Sequence, residues 1–117
     1  MQWWRRVTFK NLLSFGPAGV SVELRPLNVL IGPNGSGKSN FVEAIGLVSA
    51  APSDLTEPIR LGGGVSEWLW KGHGGAKDAQ LEVAVSSDPT NADGLRYLLS
   101  VGNDNGKAVV LRETVFD

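Results

Sequence analysis

Residues 27–40 read LNVLIGPNGSGKSN, an apolar run followed from Gly32 to Ser39 by the pattern G-x-x-x-x-G-K-[ST]. The glycines Gly32, Gly35 and Gly37 let consecutive backbone N–H groups curl around phosphate oxygens, where side chains would stand in the way. Lys38 supplies a point charge for the β and γ phosphates, and the Ser39 hydroxyl suits a bound magnesium ion. The pattern also needs a helix directly after it, because unpaired N–H groups and the positive dipole end must face the anion. Lys38 to about Ala50 contains no proline and predicts that helix. Asn34 and Ser36 inside the loop and Asn40 just beyond it complete the candidate contacts to a nucleotide; Asn40 reads equally well as an ordinary first-turn residue.

The rest of the chain bounds what this motif can belong to. Its 117 residues suffice for one small domain with a modest core, and 42% apolar with 20% charged residues is ordinary for a globular protein. A net charge of -1 gives no overall basic field that would argue for nucleic acid or a membrane surface. Cysteine is absent, which excludes disulfides and thiolate metal sites and fits a reducing compartment. The start MQWWRR lacks the apolar stretch of a secretory signal, and no segment approaches the length of a membrane span. A cytoplasmic location is therefore expected.

Outward from the motif, hydrophobic periodicity predicts strand, strand, loop, helix, irregular segment and then three strands. Trp4 to Lys10 alternates, with Val7 and Phe9 inward beside Arg5, and Trp4, Arg6, Thr8 and Lys10 on the other side. Val20 to Leu24 has a clean two-residue period, and the turn residues Phe15 to Gly19 between the two runs predict an antiparallel hairpin. Leu27 to Ile31 is nearly all apolar, as in a strand buried on both faces. In the helix, Phe41, Ala44, Ile45 and Val48 form a stripe that Val42 and Leu47 widen. Gly62-Gly63-Gly64 cannot hold a regular element, and Val65 to Trp70 suits one helical turn. Leu81–Val85, Leu95–Val101 and Ala108–Val115 read as strands, the last two joined by the hairpin signal Asn103-Asp104-Asn105-Gly106.

The run Val7 to Phe15, the amphipathic strand after it and the extended form Gly32-Pro33-Asn34-Gly35-Ser36-Gly37-Lys38-Ser39-Asn40 resemble the start of the ATPase head of the RecF and structural-maintenance-of-chromosomes (SMC) class, itself similar to ABC-type ATPases. Within that class the chain looks like the AAA-type, RecF-like ATPases of bacteria. Two strands before the loop fit such a head, whereas P-loop kinases usually begin with the phosphate-binding strand. The resemblance implies an α/β fold: the N-terminal lobe of a P-loop NTPase, mostly β-strands packed around one P-loop helix. Residues 1–117 are then expected to form a single partial domain. Further along, Ile59 to Gly72 is similar to a stretch of the SMC family with an arginine, glycines, a Ser-acid pair and a lysine. By that resemblance Arg60 stands near the nucleotide or near DNA crossing the head; by composition alone it is a solvated loop charge. Trp68 and Trp70 are read either as rings that stack on a nucleic-acid base or, preferably, as anchors for this loop. Asn11 to Phe15 lies where related heads approach the adenine, although Leu12 and Leu13 replace the polar residue some relatives carry there. Gln80 lies earlier than the magnesium-linked glutamine of ABC heads, and the lone His73 cannot build a metal site.

Hydrolysis in this class requires an apolar strand ending in Asp-Glu, for magnesium and for the attacking water. Neither Ser86-Ser87-Asp88-Pro89 nor Val115-Phe116-Asp117 supplies it, and no Ser-Gly-Gly signature loop is present. The expected function is ATP binding, with magnesium, as the N-terminal part of a longer ATPase that is not active alone. The resemblance implies a C-terminal ATPase lobe, a homodimer partner and, by resemblance only, DNA, in repair, chromosome maintenance or defence. The alternative is a non-catalytic interaction or regulatory module that retains the loop; a phosphotransferase is disfavoured by the two leading strands.

Overall fold

The computed structural model describes residues 3–25, 31–32, 38–50, 59, 63–72, 75–86 and 94–116. The first strand, β1 (Trp3–Lys10), has the predicted alternation over most of its length: Val7 and Phe9 point inward and are fully buried. β2 (Val20–Glu23) returns antiparallel to it, from Arg6 opposite Glu23 to Phe9 opposite Val20. Three longer strands complete the sheet: β3 (Asp78–Ser86), β4 (Leu95–Asp104) and β5 (Lys107–Phe116). The order is β2-β1-β3-β4-β5 and every pairing is antiparallel. The β4–β5 ladder runs right up to its turn, ending with Asp104 opposite Lys107. Asn105 (φ 51°) and Gly106 (φ 87°) both take the left-handed conformations that a two-residue hairpin of this hand requires, and the Gly106 N–H donates to Asn103 Oδ1 at 2.7 Å.

A bulge breaks the parity of β1. Its register against β3 passes from Trp4 opposite Val85 to Arg6 opposite Ala84, so Arg5 is an extra residue. An extra residue moves everything before it to the opposite face. Trp4, expected on the face of Arg6, Thr8 and Lys10, instead packs against the core. A second bulge in β5, where Val101 faces Val110 and Ser100 faces Arg112, leaves Leu111 as the extra residue.

The core lies on the face of the sheet that carries Val7, Phe9, Leu81, Val83, Leu99 and Val101. Helix α1 (Lys38–Ala50) joins it through Ala44, Leu47 and Val48, the burial of a leucine or valine side chain contributing roughly 1.5–3 kcal/mol. Val42 is not part of this stripe and is 56% exposed. At 100° per residue it stands about 160° round the helix from Ala44, so its apolar character does not bring it inward. A one-turn helix, α2 (Val65–Trp68), adds Val65 and Trp68 to the same core.

The strand expected at Leu27–Ile31 lies outside the described residues except for Ile31, which belongs to no strand and is 91% exposed. A doubly buried strand needs neighbours on both sides, and none of the described strands pairs with Ile31.

Candidate nucleotide-binding site at the head of α1

Lys38, Ser39 and Asn40 form the opening turn of α1, where backbone N–H groups have no partner within the helix. The first turn has no acidic residue, so its dipole end presents uncompensated positive character. Ser39 is exposed, whereas Lys38 and Asn40 are half-buried. The Lys38 ammonium turns back and donates to the Gly32 carbonyl at 3.1 Å, joining the first and seventh residues of the motif. Gly32, Lys38, Ser39 and Asn40 are thus located; Asn34, Gly35, Ser36 and Gly37 lie outside the described residues, as does Arg60. Next along the helix, Phe41 meets Phe9 edge-on with ring centroids 5.9 Å apart, which pins the head of α1 to the end of β1.

Around this head the chain is held by backbone contacts that the sequence did not announce. The turn after β1 docks on the segment after α2: the Leu13 N–H donates to the Trp68 carbonyl at 2.6 Å and the Trp70 N–H to the Asn11 carbonyl at 2.9 Å. Leu12 is buried, bridges to Leu69, and offers no group to an adenine. Trp68 is only 7% exposed, and its indole Nε1–H donates to the Ile59 carbonyl at 3.3 Å. It therefore anchors its loop and has no free face for a base, while Trp70 lies half-buried against Gly16 and Gly72. Gln80 stands on the opposite face of β3 from Leu81, in a shallow hollow with Thr8, Lys10, Glu82 and Leu98. That face is turned away from α1, so Gln80 does not approach Lys38 or Ser39. His73 lies outside the described residues, and among those described no cluster of three or more His, Cys, Asp or Glu could hold a metal.

Residues 27–117, more than three quarters of the chain and including the whole motif, match the family described as "AAA domain, putative AbiEii toxin, Type IV TA system". The chain belongs to this AAA family. No curated protein sequence matches it. Among solved structures, the AAA domain is similar to a chain from work on ATP-driven dimerization and DNA-stimulated activation of SMC ATPases, at 20% identity and TM-score 0.59, covering 97% of this chain and 68% of that one. It is also similar to the Smc head domain with an extended coiled coil, bound to the C-terminal domain of ScpA, from Pyrococcus furiosus. There the identity is 21% and the TM-score 0.63, with 93% of this chain and 30% of that one covered. At these identities the likeness concerns the fold: five antiparallel strands with two helices, as in the N-terminal lobe of an SMC head.

Membership of a P-loop family implies nucleotide binding by the AAA domain. No described helix is long and apolar enough to cross a membrane. The docking of the Asn11–Phe15 turn on Trp68–Trp70 had one weak signal in the sequence, the tolerance of Asn11 for a left-handed backbone. The left-handed Leu13 (φ 52°) had none.

Proposed function

We propose that this AAA domain binds ATP with magnesium through Gly32–Asn40 and serves as one half of a composite ATPase site. The observation that carries the reading is the hydrogen bond from Lys38 to the Gly32 carbonyl, which holds the motif's cation at the helix head rather than in solvent. The chemistry of the residues fits the ligand. The amides of Gly35, Ser36 and Gly37 and the head of α1 would receive phosphate oxygens, with Lys38 beside the β and γ phosphates. Ser39, exposed on a first turn that carries no acidic residue, would place its hydroxyl on magnesium. The bound metal and nucleotide would supply charge neutralisation and a transferable phosphoryl group; the residues here bind and orient.

Turnover needs an Asp-Glu pair and a signature loop that this sequence lacks. In the intact protein these would come from a C-terminal lobe and a second subunit, and the assembled heads would act on DNA, as the likeness to SMC heads suggests by analogy. The test is calorimetric titration of the chain with ATP and magnesium. Saturable binding is expected, weakened at least about tenfold (roughly 1.4 kcal/mol) by Lys38→Ala with unchanged circular dichroism. It should also weaken when magnesium is chelated or Ser39 is replaced by alanine. Binding that is absent, or indifferent to Lys38→Ala, would point to a module that keeps the motif without using it.

A further inference from the structure

Three rings lead away from the head of α1. Lys38 and Phe41 are three residues apart and so neighbours on one helix face. Phe41 meets Phe9 edge-on at 5.9 Å, and Phe9 stacks on Phe15 at 5.7 Å with 27° between the ring planes. Phe15 closes the turn that follows β1, exchanging backbone hydrogen bonds with Leu12 at 2.8 and 3.0 Å. That turn is the one clamped to Trp68 and Trp70, and the Trp70 ring lies over the residue that follows it: a Cβ on Gly16 would come within 3.2 Å of the indole, and one on Gly72 would overlap it. Trp68 in turn holds the Ile59 carbonyl, next to Arg60. A continuous series of contacts therefore runs from Lys38 at the head of α1 to Trp68–Trp70 and Ile59.

The turn has the character of a switchable element. Asn11 (φ 57°) and Leu13 (φ 52°) are both left-handed, and a leucine holds that conformation only where its surroundings impose it. The imposing contact is the bond from the Leu13 N–H to the Trp68 carbonyl. Loss of that bond would let Leu13 relax and remove one of the ties on Trp68–Trp70, which makes the turn an element whose equilibrium both sites can bias.

We propose that the Asn11–Phe15 turn couples the nucleotide site at the head of α1 to the Trp68–Trp70 segment, with Phe15 and Trp70 as positioning residues. The proposal rests on the nucleotide-binding reading above. Coupling of this kind is reciprocal: nucleotide alters the surroundings of Trp70, and changes in the clamp alter nucleotide affinity although they touch no phosphate.

The experiment uses the whole chain labelled with 5-fluorotryptophan, whose four residues Trp3, Trp4, Trp68 and Trp70 give separate fluorine resonances. Trp70 is assigned through Trp70→Phe, and ATP with magnesium is titrated by NMR and by calorimetry in parallel. The Trp70 resonance is expected to shift with saturation while Trp4, at the far end of β1, stays in place. In Phe15→Ala the shift is lost, calorimetric affinity changes by about threefold or more, and Phe15→Tyr restores both. Leu13→Asn, which accepts the left-handed backbone at lower cost than leucine without the added freedom of glycine, favours the closed turn and shrinks the shift without removing any ring, so a misfolded Phe15→Ala would not rescue the proposal. Calorimetric binding with an unmoved Trp70 resonance, or an undiminished shift in the folded variants, overturns the coupling alone. Absence of calorimetric binding in the parent chain overturns the nucleotide reading and the coupling with it.

Discussion

The Tyr97 hydroxyl donates to Glu113 Oε2 at 2.6 Å across the β4–β5 ladder. Burial, then this hydrogen bond, then the charge of Glu113 raise its pKa from 10.0 to about 12. Because the folded value is the higher one, the contribution to stability is complete below pH 10 and is lost as pH rises from 10 towards 12. Thermal melts of the parent should therefore fall across that window more steeply than those of Tyr97→Phe. Two glycines make opposite predictions. Gly72→Ala would drive a methyl group into the Trp70 ring and should cost about 1–3 kcal/mol, read as a lower denaturant midpoint. Gly46 lies exposed inside α1 with nothing within 4 Å of a Cβ, so Gly46→Ala should stabilise by about 0.4–1 kcal/mol. Neither glycine's role is visible in the sequence, since both flank ordinary residues and differ only in what folds over them.

At the scale of elements, α1 separates an apolar residue from a buried one. Leu47→Ala should cost about 2–5 kcal/mol, whereas Val42→Lys should change stability by less than about 0.5 kcal/mol, both measured by chemical denaturation. The helix itself was legible: a motif that demands a helix, thirteen residues without proline and a stripe at helical spacing put it at Lys38–Ala50. The two hairpins were legible too, because glycine and asparagine at their turns encode local backbone geometry. Strand β2 stops one residue short of its expected end, whereas the other four exceed their expected limits, β3 by three residues at its start, because an antiparallel ladder continues as long as a partner strand lies alongside. The bulge at Arg5 escaped prediction for the same reason: it is a property of the pairing with β3, and only the pairing reveals that Trp4 turns to the core.

Across the whole molecule, β5 forms one edge of the described sheet, ten residues long with Val110, Leu111 and Val115 each more than half exposed. Long apolar edges promote pairing between chains. Val110→Lys should lower concentration-dependent light scattering while shifting stability by no more than about 0.5 kcal/mol. The phosphate motif, the helix it opens and the strand-rich architecture were all determined by the sequence alone, because phosphate chemistry requires fixed residue types at fixed spacing and each element is coded by neighbours a few positions apart. The face on which Trp4 packs, the exposure of Ile31 and the clamp of Asn11–Leu13 on Trp68–Trp70 were decided only in the tertiary structure. These depend on contacts between residues far apart in the chain, as Trp4 is from Val85, and no local pattern of apolar and polar residues specifies which distant backbone will arrive.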